Sequence, residues 1–306
     1  MSRTVTVGLD GSPESRAAAE WAAREAKLRG LPLKLVNVWA PAPDPIAQAP
    51  LLGGETHQHW TEPSELERIW REAAVGLRLR HPGVEVTVEQ LHGQAVEVLP
   101  GLAKESELLV LGSRGLSGIG GFLVGSVGLA VVAHSERPVV LVRAGEQAAD
   151  EHVMDPSGIP SAATPYRPVV LGLDTDSPAD AVTEFAFDAA TRRKTALRVV
   201  RAWNPPPSIT YGLPPGAVPN ARLAERDAAA LTPLLRPWRQ KFPDVEIVQE
   251  SRVGKGADHL VDASRDASLV VVGRRIRRSP FGAHIGPVTH AVLHHAGTPV
   301  AVVPHD

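Results

Sequence analysis

The chain has 306 residues, 43% hydrophobic and 22% charged, with a net charge of −2 and no cysteine. That length suits two domains of about 100–150 residues each better than one core, and the composition excludes wholesale disorder. The lack of cysteine removes disulfide scaffolds, thiolate metal sites and cysteine nucleophiles together.

A near-neutral charge argues against nucleic-acid binding, which draws most of its affinity from neutralised phosphates. The six Trp, five Phe and two Tyr are too scattered for a base-stacking platform. No apolar run approaches the roughly 18–20 residues of a membrane span. A strand-like Val5-Thr6-Val7 stands where a secretory leader would place its apolar core. A cytoplasmic location, with neither membrane nor nucleic acid as partner, is the expectation.

Thr4–Leu9 predicts a short apolar strand. Ser12-Pro13-Glu14 opens a helix, with a capping hydroxyl, proline in the first turn and an acid at the positive end of the dipole. Gly30 stops that helix. Leu33–Val38 is a second strand, Pro41–Thr61 a proline-rich loop and Glu65–Leu79 a helix. Val84–Val88 alternates as a third strand, followed by a helix over Ala95–Lys104 that Pro100 should kink. Leu108–Leu111 is the fourth strand, Ser126–His134 a helix and Val139–Val142 the last strand.

The pattern is then written again. Val7-Gly8-Leu9-Asp10 returns as Leu171-Gly172-Leu173-Asp174, and Leu33–Trp39 as Leu197–Trp203. Leu109-Val110-Leu111-Gly112 returns as Val270-Val271-Val272-Gly273, and Pro138–Val142 as Pro299–Val303. One long unit repeated once is a tandem duplication, not a solenoid. Residues 1–146 form the first expected domain, 147–165 a linker and 166–306 the second. Strands apolar on both sides belong to a parallel sheet covered on both faces. The fold class is therefore α/β, with two tandem doubly wound, Rossmann-like domains. Such folds bind ligands beyond the carboxyl ends of their strands. The short apolar last strands, Val139–Val142 and Val300–Val303, would invite aggregation if left as open edges.

The residues placed for chemistry follow the first and fourth strands. Gly112-Ser113-Arg114-Gly115, nine residues, then Gly125-Ser126-Val127 bring close-approach glycines and the N-terminus of a helix into one loop. Backbone N–H groups there suit an anion, with the Ser126 hydroxyl as a further donor. Asp10 stands ready to accept from hydroxyls or a base. A lone glycine pair after a strand is more often a turn; the second pair at a fixed interval, together with Asp10, shifts the balance.

At these residues the chain resembles the universal stress protein family. Its nucleotide-binding members carry Gly-x2-Gly-x9-Gly-Ser/Thr after strand four, an Asp after strand one and a Val closing strand two. The first copy matches at Gly112, Gly115, Gly125, Ser126, Asp10 and Val38. The resemblance implies an adenine-nucleotide α-hydrolase-like fold and ATP as ligand, with Mg or Mn held through its phosphates. It places adenine at Val38, with Gly8 and Asp10 lining base and ribose. Leu111, Gly112 and Gly115 would pass under the ribose and phosphates, and Gly125, Ser126 and Val127 would take the terminal phosphates. Arg114 lies within reach of either a phosphate or bulk solvent. The family also implies pairing through the last strands, here an internal pseudo-dimer of the two copies; a homodimer of chains is compatible with it. A regulatory or protective stress role follows from the resemblance alone.

The second copy departs. It reads Gly273-Arg274-Arg275-Ile276, nine residues, then Gly286-Pro287. A β-branched residue replaces the second glycine, and proline removes a hydroxyl and an N–H. Much weaker ATP binding there, or none, is expected, with Arg274, Arg275, Arg277 and Arg278 as either an anion grip or a solvated run. No Gly-x4-Gly-Lys-Ser/Thr occurs; Gly254-Lys255-Gly256 is only a fragment of one. With no P-loop lysine or water-orienting carboxylate in view, slow hydrolysis is the most expected. The competing readings are a nucleotide-independent interaction protein and an adenylating enzyme. The latter's Ser-Gly-Gly-x-Asp-Ser loop is replaced here by Asp10-Gly11-Ser12-Pro13.

Overall fold

The computed structural model describes residues 3–39, 63–113, 124–204, 229–276 and 285–306. In the first copy β1 (Val5–Gly8), α1 (Pro13–Arg29), β2 (Leu33–Trp39), α2 (Pro63–Arg80), β3 (Val86–His92), α3 (Ala95–Glu105), β4 (Leu108–Ser113), α4 (Ser126–His134) and β5 (Val139–Arg143) follow in order. The second copy holds β6 (Val169–Gly172), α5 (Asp180–Arg193), β7 (Leu197–Trp203), α6 (Leu231–Lys241), β8 (Ile247–Val253), α7 (Gly256–Ser264), β9 (Leu269–Arg275), α8 (Pro287–His295) and β10 (Val300–His305). Among the described residues no helix is long and apolar enough to cross a membrane.

The strands form one ten-stranded sheet in the order β3-β2-β1-β4-β5-β10-β9-β6-β7-β8. Every neighbouring pair is parallel except β5 with β10, where the copies meet antiparallel with Ala301 opposite Val140. The two halves are thus an internal pseudo-dimer. Alternation within a strand feeds both faces. In β4, Leu108 and Val110 join the core under α1, α2, α5 and α6, whereas Leu109 and Leu111 join the one under α3, α4, α7 and α8. Both cores run across the β5–β10 join.

Local signals account for the ends of α1. Ser12 Oγ accepts from the N–H of Ser15 at 3.1 Å, Pro13 stands at the first position, and Gly30 closes α1 in the left-handed conformation. α3 carries Pro100 inside a continuous run. The third strand is displaced from Val84–Val88 to Val86–His92. Val84 closes a turn onto His81 O, and β3 instead pairs with β2 along its whole length, Leu33 opposite Val86 and Trp39 opposite His92.

The segment expected as a linker does more than connect. It holds a 3-10 turn over Ala148–Glu151 and a bridge from His152 to Tyr166. Glu151 is buried and pairs with Arg24 of α1 at 2.5 Å. Beside it lies a buried cluster between the copies. Glu25 of α1 binds Arg29 at 2.6 Å and Arg193 of α5 at 2.7 Å, and Arg29 reaches Asp188 at 3.3 Å. Burial alone would lift the Glu25 carboxyl, but the Arg193 and Arg29 guanidiniums outweigh it and hold it at about 2. Glu151, with Glu25 nearby, shows the reverse: burial prevails over Arg24 and raises it.

Candidate functional site

The candidate site of the first copy lies where β1 and β4, side by side and parallel, end. After β1 the chain turns at Gly11, whose φ of +84° a side chain would strain. This turn lets Ser12 cap α1 immediately. The Asp10 carboxylate is fixed in the turn: its Oδ1 accepts from Ser12 N at 3.0 Å and Ser12 Oγ at 2.6 Å. Partial burial pulls the Asp10 carboxyl upward, yet the hydrogen bonds from Ser12 and Ser15 together leave it below its ordinary value. Asp10 is therefore an exposed, ionised acceptor at neutral pH. Buried Asn37 of β2 donates from Nδ2 to Leu9 O at 3.0 Å, tying the exit of β1 to its neighbour.

Two expected residues meet directly. A Cβ on Gly8 would lie 2.6 Å from Leu111 Cδ2, so the Leu111 side chain occupies the space that Gly8 leaves. Val38, half-buried, packs on the same face as Leu111. Gly112 is constrained differently from the sequence-based reading. A Cβ there would stand 2.6 Å from Glu14 C and 2.7 Å from Ser15 N. The residue is glycine because the first turn of α1 lies against β4, whatever ligand approaches. Arg114 and Gly115 lie outside the described residues. Gly125 caps α4 with extended backbone, and the first helical bond runs from Leu129 N to Gly125 O at 3.0 Å. The N–H groups of Ser126, Val127 and Gly128 thus precede the helical ladder, and Ser126 and Val127 are exposed.

In the second copy the corresponding residues line a cavity of about 620 Å³. Gly172, Asp174, Ala202 and Val272 stand for Gly8, Asp10, Val38 and Leu111; Gly273, Gly286, Pro287 and Val288 stand for Gly112, Gly125, Ser126 and Val127. The spacing read from the sequence therefore converges on one crevice in the copy whose motif is altered. Thr175 replaces Gly11 without adopting positive φ, and the helix starts late, at Asp180. Asp174 Oδ1 again accepts from the chain ahead, from Asp176 N at 3.0 Å and Ser177 N at 3.3 Å. Where the α1 backbone meets Gly112, the Cβ direction of Gly273 meets the imidazole of His305 at 2.9 Å and Val182 at 3.2 Å.

The phosphate half of this second crevice differs. Ile276 remains beside the sheet, its N–H donating to His305 O at 2.6 Å, so no left-handed turn forms there. Pro287 opens α8, and Thr289 Oγ1 is spent on Gly273 O at 2.8 Å. The arginine run needs correction as well. Arg274 is buried and donates from Nη2 to Ser135 O, at the end of α4 in the other copy, and burial lowers its pKa. It is neither an anion grip nor a solvated charge. Arg275 donates to Ser177 Oγ; Arg277 and Arg278 lie outside the described residues.

Sequence reasoning missed the loop between β8 and α7. Gly254, Lys255 and Gly256, a failed P-loop fragment by sequence, line the crevice with Asn204 and His305. The signal was a glycine at the strand-to-helix turn in both copies: Gly254 has φ +120° and its counterpart Gly93 has φ +132°. His290 and His294 stack with ring centroids 4.4 Å apart, and among the described residues no group of three or more metal-ligating side chains forms.

The fold and the crevices define a tandem, doubly wound α/β protein with a potential ligand site at the strand ends of each half. The chain belongs to the universal stress protein family, whose sequence profile matches residues 1–143 and 165–304. It is 32% identical to Universal stress protein Rv2005c of Mycobacterium tuberculosis, the match covering 97% of this chain and 96% of that one. Universal stress protein Rv1996 of the same organism is 30% identical, covering 99% and 96%. A universal stress protein from Archaeoglobus fulgidus shares the fold, with a TM-score of 0.69 at 16% identity over 100% of both chains.

Proposed function

We propose that the first copy, residues 1–146, binds ATP and that the chain acts in the cytoplasm as a nucleotide-responsive regulatory or protective protein under stress. Asp10 and Gly8 would receive the ribose and base beside Val38. Leu111, Gly112, Gly115 and Arg114 would run under the phosphates, and Gly125, Ser126 and Val127 would hold the terminal ones. The observation that carries this reading is the convergence of the second copy's counterparts on one crevice. The first copy has the Ser126 N–H and hydroxyl where the second has Pro287. Ser126 supplies a donor pair at a helix N-terminus, suited to an anion. Asp10, ionised and fixed by Ser12, suits a diol. Mg or Mn would be carried by the phosphates and water. These residues provide a cradle without a P-loop lysine, so binding with slow turnover at most is the role proposed.

Labelled ATP titrated against the intact chain should fill about one site. Gly115→Val should weaken binding by about tenfold or more, as a side chain enters the phosphate path. Full ATP affinity in Gly115→Val, or no ATP binding by the intact chain, would defeat the proposal.

A further inference from the structure

We propose that the crevice at the seam of the two copies, between the folded linker and the starts of the second copy's strands, is a binding site for a small zwitterion, an α-amino acid. The crevice measures about 360 Å³, at the lower end of the range usual for small-molecule sites. One wall holds Arg143 and Glu146 at the exit of β5, with Asp150 of the 3-10 turn. The other holds Arg167, which precedes β6, with Ser264 and Arg265 at the end of α7 and Thr298 ahead of β10. It therefore lies at the opposite end of the second copy's strands from Gly172 and Gly273. Neither copy builds it alone.

Both walls carry charge, and the opposite charges do not close on each other. Among the described residues neither Glu146 nor Asp150 forms an ion pair with Arg167 or Arg265. Arg167 donates instead from Nε to His152 O at 2.8 Å and from Nη1 to Arg265 O at 3.0 Å, which fixes its guanidinium and leaves Nη2 outside both bonds. Arg265 pairs with Asp262 at 3.4 Å, and Asp150 Oδ2 accepts from Gln147 N at 2.9 Å. Glu146 Oε1 is buried and has no hydrogen-bond partner among the described residues. Such an atom is costly unless a polar group meets it. Burial, with Glu151 and Asp150 beside it, lifts the Glu146 carboxyl to about 8 against the pull of Arg24 and Arg143. An ammonium answers all of this at once: it takes the place of the proton, offsets the acids and donates to Oε1. A carboxylate on the same small molecule accepts from the Arg167 fork on the facing wall, a charge-assisted bond. A plain anion would be repelled by the acids, and a plain cation by the arginines.

The test is calorimetric titration of L-alanine and of L-glutamine into the full chain, with ATP present throughout so that any nucleotide site is occupied. Propionate, L-alaninamide and inorganic phosphate are the controls. At least one of the two amino acids should fill about one site per chain. Each control offers charge of one sign only and should bind at least about tenfold more weakly. In buffers of different ionisation enthalpy at pH 7, binding should release roughly one proton per site, as Glu146 ionises against the ammonium. Glu146→Gln imitates the neutral acid of the free protein, so its unfolding midpoint should stay within about 2 °C of the intact chain. Its affinity for the amino acid should nevertheless fall by about tenfold or more, and the proton release should disappear. Arg167→Lys keeps the charge but loses the fork and should weaken binding severalfold. No saturable binding of either amino acid, a control that binds as tightly, binding without proton release, or full affinity in either variant would overturn the proposal.

Discussion

Glu25→Gln tests what holds the two copies in one sheet. Glu25 is wholly buried between Arg29 and Arg193, and its carboxyl is held at about 2 from an ordinary 4.5. That depression corresponds to about 3 kcal/mol of native-state preference for the ionised form. The cost of breaking a buried pair, about 3–5 kcal/mol, points to the same size. The sign follows from the direction. A carboxyl depressed on folding contributes fully above its unfolded pKa near 4.5, and that contribution disappears as pH falls toward about 2. Glu25→Gln should therefore cost about 3 kcal/mol at pH 7, roughly 5 °C in unfolding midpoint for a chain of this size. The deficit should shrink by about half by pH 3 and nearly vanish by pH 2. Glu151 cannot mimic this trend, because its raised carboxyl favours the folded state as pH falls. Paired thermal or urea unfolding of the two proteins across that range is the assay. A deficit independent of pH, or none at pH 7, would refute the electrostatic account of the cluster.

Two further substitutions, with Gly101→Ala as a control, probe the strand ends of the first copy. Gly112→Ala should cost about 1–3 kcal/mol by overpacking, since its Cβ would meet the backbone of Glu14 and Ser15, which cannot rotate away; Gly101→Ala, with nothing within 4 Å, should be neutral or stabilising by up to about 1 kcal/mol. Equal effects in urea unfolding would show that α1 does not press on β4. Ser12→Ala should cost about 1 kcal/mol through the lost cap and raise the Asp10 pKa, since Ser12 Oγ is a main support of its ionised form; an unmoved carboxyl resonance in an NMR titration would contradict that.

The fold was legible because its central strands carry apolar residues on both faces and α1 carries clear end signals. Ser12, Pro13 and Gly30 bound α1 as their chemistry requires. The duplication was legible too, since matching strands recur in matching order. Register was harder: Val84 is as apolar as Val86, and only pairing with β2 decides which of them begins the strand. The inter-copy cluster left no local trace. Glu25 and Arg29 look like an ordinary exposed pair one helical turn apart, and nothing near Arg193 announces that it will be buried against them. Long-range burial turns a surface motif into a joint.

The candidate site shows the same limit in finer detail. The glycine spacing pointed to the strand ends, where the second copy's counterparts line a cavity, but a glycine in sequence does not disclose what it avoids. At Gly8 the neighbour is a leucine side chain and at Gly112 the backbone of α1; at Gly11 the constraint is φ rather than space. Only the last would have been recognisable as a turn. Thr175 stands in its place without positive φ, and α5 begins later in register than α1. Gly273 faces His305 and Val182 where Gly112 faces the α1 backbone, and the second cleft runs along Gly273, Gly286 and Pro287. Two copies of one fold thus come to present different surfaces to a ligand through one turn, one proline and one isoleucine.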